Sequence, residues 1–205
     1  PMDAKSLNVQ LVAGGTHDID MNFQGQALFA PSKGGVAGSA VVLAQDLEVL
    51  GEGRSRTPGF SGISLYAGSL DRLEAGRLSL GATPTVEYGS AGNFIRFEGS
   101  AANITLREGA VLSAPEVLLR TDKVDGGITL EAGAGINTLG RGDAPYDSTD
   151  GFIYQPGSAS LLVVSNGWTS TLAPTVATYS AGPGSIRIGT CVAQPCAQPT
   201  LLYSN

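Results

Sequence analysis

The residues best suited to chemistry are three consecutive ones, Arg141, Gly142 and Asp143, in a glycine-rich stretch. A glycine between a cation and a carboxylate allows a tight turn that presents the two charged side chains on opposite sides. Such a turn suits a receptor that offers a metal ion to the carboxylate and an acidic pocket to the arginine. The tripeptide therefore predicts a receptor-binding turn, and the alternative is a solvated loop that needs glycine and aspartate only to turn.

Asp143 also belongs to a group of three aspartates, which Asp147 and Asp150 complete. Calcium prefers oxygen ligands, so these acids are a candidate metal site. The glycine-aspartate repeat of calcium-binding β-rolls does not fit, because Arg141 stands where glycine is needed. The alternative is that the aspartates form turns. No phosphate-binding loop follows the preceding glycines, because the Gly-Lys-Ser/Thr signature is missing, and the sequence predicts no cofactor.

Cys191 and Cys196 are the only cysteines, and four residues including Pro195 separate them. A tight turn over that spacing can bring the Cα atoms within the roughly 4.4–6.8 Å that a disulfide requires. A disulfide would fasten a local hairpin and would indicate an oxidising compartment, whereas the alternative is a free pair. Structural zinc is not expected, since it needs about four ligands and His17 is the only histidine.

No constellation for catalysis is evident. The G-x-S-x-G signature of serine hydrolases is absent, and any serine-based triad would have to recruit His17. The acidic residues are dispersed or confined to one loop, unlike the carboxylates that β-helical polysaccharide lyases gather on one strand face. The chain is therefore predicted not to be an enzyme.

Composition argues against two classes of protein, those that bind nucleic acid and those that span a membrane. The formal net charge is -6 and the basic residues are scattered, so nucleic acid is not an expected ligand. No uninterrupted apolar run approaches the ~18 residues of a membrane-spanning helix, so an integral membrane protein is not expected either. Glycine supplies 29 of 205 residues, about twice the usual share of about 7 %, which argues against long helices.

The scaffold is indicated by a pattern that occurs four times, apolar-x-Leu-x-x-Gly-small. It occupies residues 9–15, 63–69, 104–110 and 128–134. The alternation has period two, so each copy places two aliphatic side chains on one face of a short strand. We expect aligned interior rows made of Val9, Leu11, Ile63, Leu65, Ile104, Leu106, Ile128 and Leu130.

The spacing of these copies, 24 residues from Ile104 to Ile128, is typical of a solenoid repeat. The expected fold is an all-β parallel β-helix with loop or short β excursions at residues 16–38, 51–59 and 140–157. The alternative is a β-sandwich, which also uses short alternating strands. One domain, residues 1–205, is expected, with repeated rungs over 1–140. An excursion and a β region follow over 141–205, where Arg187 is the only charged residue after Asp150.

Several segments resemble the filamentous-haemagglutinin-like large exoproteins of Gram-negative bacteria, the passengers of two-partner secretion. The similarity is carried by the Ile-Thr-Leu-x-x-Gly units, then by residues 139–146 (LGRGDAPY), 154–161 and 165–168 (SNGW). It spans most of the chain and is specific mainly from Gly126 to Cys196. The resemblance implies a right-handed β-helix, export through an outer-membrane transporter, and work in adhesion, haem-related uptake or competition between bacteria.

The function predicted from the sequence is that of a structural and adhesive segment of a secreted or cell-surface bacterial exoprotein, attaching to host or neighbouring cells. Its expected partners are the transporter and a host-cell receptor or glycan. The alternative is a β-helical polysaccharide-acting enzyme or a carbohydrate-binding module. The sequence leaves open the identity of the ligand, the oligomeric state and the function of the remainder of a longer protein.

Overall fold

The computed structural model describes most of the residues of the chain. They are residues 6–11, 19–21, 23–30, 32–33, 35, 37–90, 92–99, 101–122, 126–145, 152–155, 160–167, 169–171, 184–190 and 198–204. The predicted disulfide pair, Cys191 and Cys196, lies outside them, as do Asp147 and Asp150 of the candidate metal site.

Strands dominate the described residues, with one short helix. In chain order the first half contains β1 (Leu7–Gln10), β2 (Ile19–Met21), β3 (Ser39–Leu43), β4 (Asp46–Leu50), β5 (Ile63–Tyr66), α1 (Ala67–Asp71), β6 (Arg77–Leu80), β7 (Ala82–Gly89) and β8 (Gly92–Gly99). The second half contains β9 (Asn103–Leu106), β10 (Val111–Ser113), β11 (Glu116–Arg120), β12 (Gly127–Glu131), β13 (Gly135–Asn137), β14 (Phe152–Gln155), β15 (Leu161–Ser165), β16 (Thr169–Thr171), β17 (Ser185–Thr190) and β18 (Leu201–Tyr203).

These strands form four sheets. The orders are β1-β3-β6-β11-β15, β17-β12-β9-β4-β5-β2, β10-β13-β18 and β16-β14-β8-β7. Among the described residues, the antiparallel pairings are β7 with β8 and β11 with β15, and the other pairings are parallel. Parallel sheets place helices or further sheets over their faces, so their strands are expected to be buried.

The core lies between the sheets and is filled by the residues that the alternating pattern points inward. Ile63, Leu65, Ile104, Leu106, Ile128 and Leu130 are all completely buried in the six-stranded sheet. Burying an aliphatic side chain of this size contributes roughly 1.5–3 kcal/mol. Val9 belongs instead to the five-stranded sheet, where it pairs with Val42, so it does not share their row.

The expectation of a right-handed parallel β-helix is wrong. In such a coil each turn adds its strand beside that of the preceding turn. Here β5 lies between β2 and β4, so the order of the six-stranded sheet departs from chain order. Some of the sheets contain only parallel strands, and others combine parallel and antiparallel strands. The alternative, a β-sandwich, is also wrong, because sandwiches are built from antiparallel sheets and most pairings here are parallel.

Residues 51–59, which were expected to form an excursion, account for part of this departure from the β-helix. They connect β4 to β5, which are parallel neighbours, and parallel neighbours need a crossover of about a dozen residues or more. The Arg56 guanidinium donates hydrogen bonds to the carbonyl oxygens of Phe60 at 2.7 Å and Gly62 at 2.9 Å, which hold the crossover in shape. The crossover is fastened to the sheet by Thr57 N, which donates to the Glu48 side chain on β4 at 3.1 Å.

Two features of this fold position the candidate site. The helix α1 follows β5 directly and ends at Asp71, which brings that carboxylate beside β10. The chain leaves β13 at Asn137 and turns through residues 138–143, on the same side of the molecule. The Arg-Gly-Asp turn therefore meets a helix end that lies seventy residues earlier in the sequence.

Candidate binding site

A cavity of about 530 Å³ lies where the Arg-Gly-Asp turn meets α1 and β10. Four segments of the chain contribute to its wall: the stretch before β3, the end of α1, the link from β10 to β11, and the turn after β13. The lining residues are Ala27, Leu28, Phe29, Ala30, Ala37, Asp71, Glu74, Ala75, Gly76, Ser113, Ala114, Pro115, Gly140, Arg141, Gly142 and Asp143. All three residues of the predicted receptor-binding turn are among them.

The turn itself is exposed, with buried chain on both sides. Arg141, Gly142 and Asp143 are exposed, whereas Thr138 before them and Ala144 after them are buried. Gly142 has a φ of 95°, a left-handed conformation that residues with a side chain rarely adopt. The glycine that the sequence placed between the two charges is thus required by the backbone of the turn.

Hydrogen bonds hold this turn in place. The Asn166 side-chain amide donates to the carbonyl oxygen of Thr138 and to that of Gly142, both at 2.7 Å. Arg141 N donates to the Thr138 carbonyl at 3.2 Å and closes the turn. The Thr138 hydroxyl donates to the Tyr203 carbonyl oxygen at 2.9 Å. Bonds to residues distant in sequence tie the loop to the scaffold and reduce the ordering that binding would require.

Asp71 supplies a carboxylate to the wall of the cavity. Its Oδ1 accepts a hydrogen bond from Ser113 N at 2.9 Å. Burial raises the pKa of the Asp71 carboxyl above its ordinary value, although the Ser113 hydrogen bonds and the positive charge of Arg141 act in the opposite direction. Burial dominates because removing a carboxylate from water disfavours its charged form.

Glu74 and Leu28 give the cavity a charged and an apolar side. Glu74 has a φ of 49° and is the one residue other than glycine with a positive φ among those described. Its backbone N–H donates to the Asp71 carbonyl oxygen at 3.0 Å, which closes the turn after α1. Leu28 is 82 % exposed although it is a large aliphatic residue. The cavity therefore offers one arginine, carboxylates and an apolar contact to a ligand that approaches the turn.

The structure tests the predicted metal site only in part. Asp143 is exposed on the turn, and its two proposed co-ligands lie outside the described residues. No group of three potential metal ligands occurs within the part of the chain that the structure describes. The three-aspartate site therefore stays a prediction.

Two residues of the site have no counterpart in the sequence prediction. Asn166 lies in the SNGW segment that carries the family resemblance, and that placement is the one available signal for it. Asp71 has no such signal, because it is the last residue of the short helix α1 and lies just beyond the repeated pattern at residues 63–69. Its role depends on a contact with Ser113, 42 residues further along the chain.

A second charged cluster lies on the outer face of the six-stranded sheet. Arg107 bonds to both Glu48, at 2.9 Å, and Glu131, at 2.8 Å, across neighbouring strands. Ser64 Oγ donates to Glu48 Oε1 at 2.7 Å, and Thr57 N donates to the same atom at 3.1 Å. These bonds satisfy the completely buried Glu48 and fasten the crossover, so the cluster serves the fold.

Opposing influences set the pKa values in this cluster. Burial acts to raise the pKa of Glu48, but hydrogen bonds from Thr57, Ser64 and Arg107 outweigh it and leave that pKa below its ordinary value. Burial likewise acts to lower the pKa of Arg107, and the hydrogen bonds and charges of Glu131 and Glu48 raise it overall. Both groups are therefore held in their charged forms.

Comparison with known proteins gives no relative for this chain: no family model, curated protein or solved structure matches it. Within the described residues, α1 is far too short to cross a membrane, and no other helix offers an apolar span of the necessary length.

Proposed function

We propose that this chain is a structural and adhesive segment of a secreted or cell-surface bacterial protein, and that it attaches to other cells through the Arg141–Gly142–Asp143 turn. One observation carries the proposal. The turn is exposed, its glycine adopts a left-handed φ of 95°, and the Asn166 side chain donates to the carbonyl oxygens of Gly142 within it and of Thr138 before it. A turn that is already ordered loses little conformational entropy on binding, so two charged side chains can give useful affinity.

The cavity beside the turn supports a specific contact. A receptor segment that engages Arg141 and Asp143 also reaches the exposed Leu28 and the carboxylates of Glu74 and Asp71, because these residues line the same cavity. Apolar contact contributes affinity, while charged groups select the partner and orient it. The site thus combines the two elements of a recognition surface.

The test is cell attachment to a surface coated with the purified chain, compared with the Asp143→Glu variant. The added methylene displaces the carboxylate while its charge is kept, so attachment should fall to the level of an uncoated surface. Glu98→Asp is the matched control, because Glu98 is an exposed carboxylate on β8 and the change also moves a carboxylate by one methylene. Attachment to the control surface should equal that of the wild type.

Retention of wild-type attachment by Asp143→Glu would refute the proposal. Asn166→Ala provides a second measurement, since it leaves both charged residues of the turn and removes two of the bonds that hold it. We expect this variant to attach more weakly and to regain part of the activity when the chain is coated at higher density. An equal loss for Glu98→Asp would show that attachment does not depend on this turn.

A glycan is a second candidate ligand, and the observation that favours it is the carboxylate wall of the cavity. Asp71, Glu74 and Asp143 all line it, and carboxylates accept hydrogen bonds from sugar hydroxyls. Binding to a glycan array that is lost in Asp71→Asn, together with unchanged attachment of that variant to deglycosylated cells, would assign the cavity to glycans and the turn to a protein receptor.

The place of this chain in a cell rests on the family resemblance alone. It leads us to propose export through an outer-membrane transporter of the two-partner type and residence on the bacterial surface. Detection of the chain on the surface of intact cells that carry the transporter, and its loss when the transporter is deleted, would test both statements.

A further inference from the structure

The last strands of the described chain expose apolar side chains at one end of the sheets. Ile186 and Ile188 in β17 are 43 % and 48 % exposed, and the three residues of β18 are also exposed. β17 forms an edge of the six-stranded sheet, and β18 forms an edge of the three-stranded sheet. An edge strand with exposed aliphatic residues is a template for pairing with another chain.

The register shows what this edge is built to contact. Ile186 aligns with Ile128 and, through it, with Ile104, both completely buried. Ile188 aligns in the same way with Leu130 and Leu106, which are also completely buried. The exposed isoleucines thus continue two interior rows of the core, and among the described strands none lies beyond β17 to cover them. A parallel strand with aliphatic residues at alternate positions would cover both.

The opposite edge of the same sheet is a strand of this kind. β2 pairs in parallel with β5, and it places Ile19 and Met21 in register with Ile63 and Leu65. Following the pairings from β2 to β17, Ile19 stands in the row that ends at Ile186, and Met21 stands in the row that ends at Ile188. The two edges of one sheet therefore match each other in strand direction and in apolar spacing.

We propose that this chain associates head to tail with a second copy of itself, with β17 of one copy pairing in parallel with β2 of the next. In this arrangement Ile186 aligns in register with Ile19 and Ile188 aligns in register with Met21 across the junction. The six-stranded sheet continues from copy to copy, and the two exposed rows become interior rows.

Charge selects the same register. The position between the two apolar rows is Arg187 in β17 and Asp20 in β2. The proposed pairing brings these two residues of opposite charge to paired register positions, which favours association, whereas like charges at paired positions disfavour it. A shift by one residue would separate the charges and turn the apolar positions to the wrong face. Pairing of two β17 edges would instead bring two copies of Arg187 together.

The contact joins two different surfaces, so it leaves one free edge at each end of every assembly. Contacts of this kind form open chains of copies unless the rotation between copies closes a ring. We therefore expect association to continue beyond two copies as the protein concentration rises.

The test is sedimentation velocity of the full chain over a wide range of concentrations, together with charge-reversed variants. The wild type should form assemblies of increasing mass. Arg187→Glu and Asp20→Arg should each weaken association by roughly tenfold, because attraction is replaced by repulsion at the junction. An equimolar mixture of the two variants should associate like the wild type, since every junction between unlike copies again joins opposite charges.

The mixing step separates a lost contact from a lost fold, because an unfolded variant cannot be rescued by its partner. Ile188→Lys should also block association, whereas Tyr88→Lys, the same kind of change at a residue 78 % exposed on β7, should not. A chain that stays monomeric at every concentration would overturn the proposal, as would assemblies that stop at two copies. Failure of the mixture to restore association would overturn it as well.

Discussion

The buried ion pair between Arg77 and Glu116 provides the sharpest test of how the sheets are held together. The two residues face each other in register on the parallel strands β6 and β11. Their side chains are 4 % and 0 % exposed, and Arg77 Nε donates to a carboxylate oxygen of Glu116. The Ser165 hydroxyl donates to the other carboxylate oxygen at 2.8 Å and so connects β15 to the pair.

Replacing Arg77 with methionine keeps much of the side-chain length and removes the charge. The variant then buries the Glu116 carboxylate without its cation, a change that costs about 3–5 kcal/mol in comparable buried pairs. We expect a loss of this size in the free energy of unfolding at neutral pH. The double variant Arg77→Met/Glu116→Leu removes both charges, so it should recover most of that loss.

An exposed pair of similar geometry serves as the control. Arg96 and Glu87 join β8 to β7 at 2.8 Å, but their side chains are 54 % and 38 % exposed. Because water and salt screen such a pair, Arg96→Met should cost no more than about 1 kcal/mol. The comparison isolates burial, since both substitutions remove an arginine from a pair of neighbouring strands.

Urea unfolding followed by circular dichroism gives these free energies, provided that a second probe reports the same transition. The reasoning fails if Arg77→Met loses no more than Arg96→Met. It also fails if the double variant loses the sum of its two single variants, because the carboxylate would then not be destabilised by the absence of the arginine.

Two further predictions concern the fold. Glu48→Gln should destabilise the chain at neutral pH and have less effect at acid pH, and urea unfolding at both pH values measures the difference. The pKa of Glu48 is lowered in the folded state. The charged carboxylate therefore contributes its full stability above the usual glutamate pKa of about 4.3, and that contribution is lost as the pH falls through the lower folded value. Equal losses at both pH values would contradict this assignment. Gly81→Ala should lower the melting temperature far more than Gly53→Ala: both glycines have positive φ, but a Cβ at Gly81 would collide with the Arg120 carbonyl oxygen and one at Gly53 meets open space. Similar losses for the two alanine variants would show that the packing around Gly81 yields.

Much of the core could be predicted from the period-two pattern. The aliphatic residues of the copies at 63–69, 104–110 and 128–134 are buried and aligned in one sheet, because alternation determines which side chains share a face. The prediction was wrong for the copy at residues 9–15, because Val9 pairs with Val42 in another sheet. A pattern identifies a strand face but contains no information about the sheet that the strand joins.

The candidate site was predictable to a similar depth. A glycine between Arg141 and Asp143 predicted a turn, and the left-handed φ of Gly142 agrees with it. The cavity was not predictable, because Asp71 reaches it from a different part of the chain and no local motif distinguishes that aspartate. Asn166 likewise acts through bonds to carbonyl oxygens more than twenty residues away in sequence.

What the sequence by itself determined is local: short strands with one aliphatic face, a glycine turn between two opposite charges, and a composition unsuited to long helices. These properties depend on the conformational preferences of neighbouring residues and on the alternation of side chains along a strand. The tertiary structure alone decided strand order, strand direction and the meeting of the turn with Asp71. The position of β5 between β2 and β4 contradicts the β-helix. The sequence does not predict this position, because several strands have equivalent apolar faces. Partners distant in sequence, such as Glu48 and Arg107, stabilise the strand order that results.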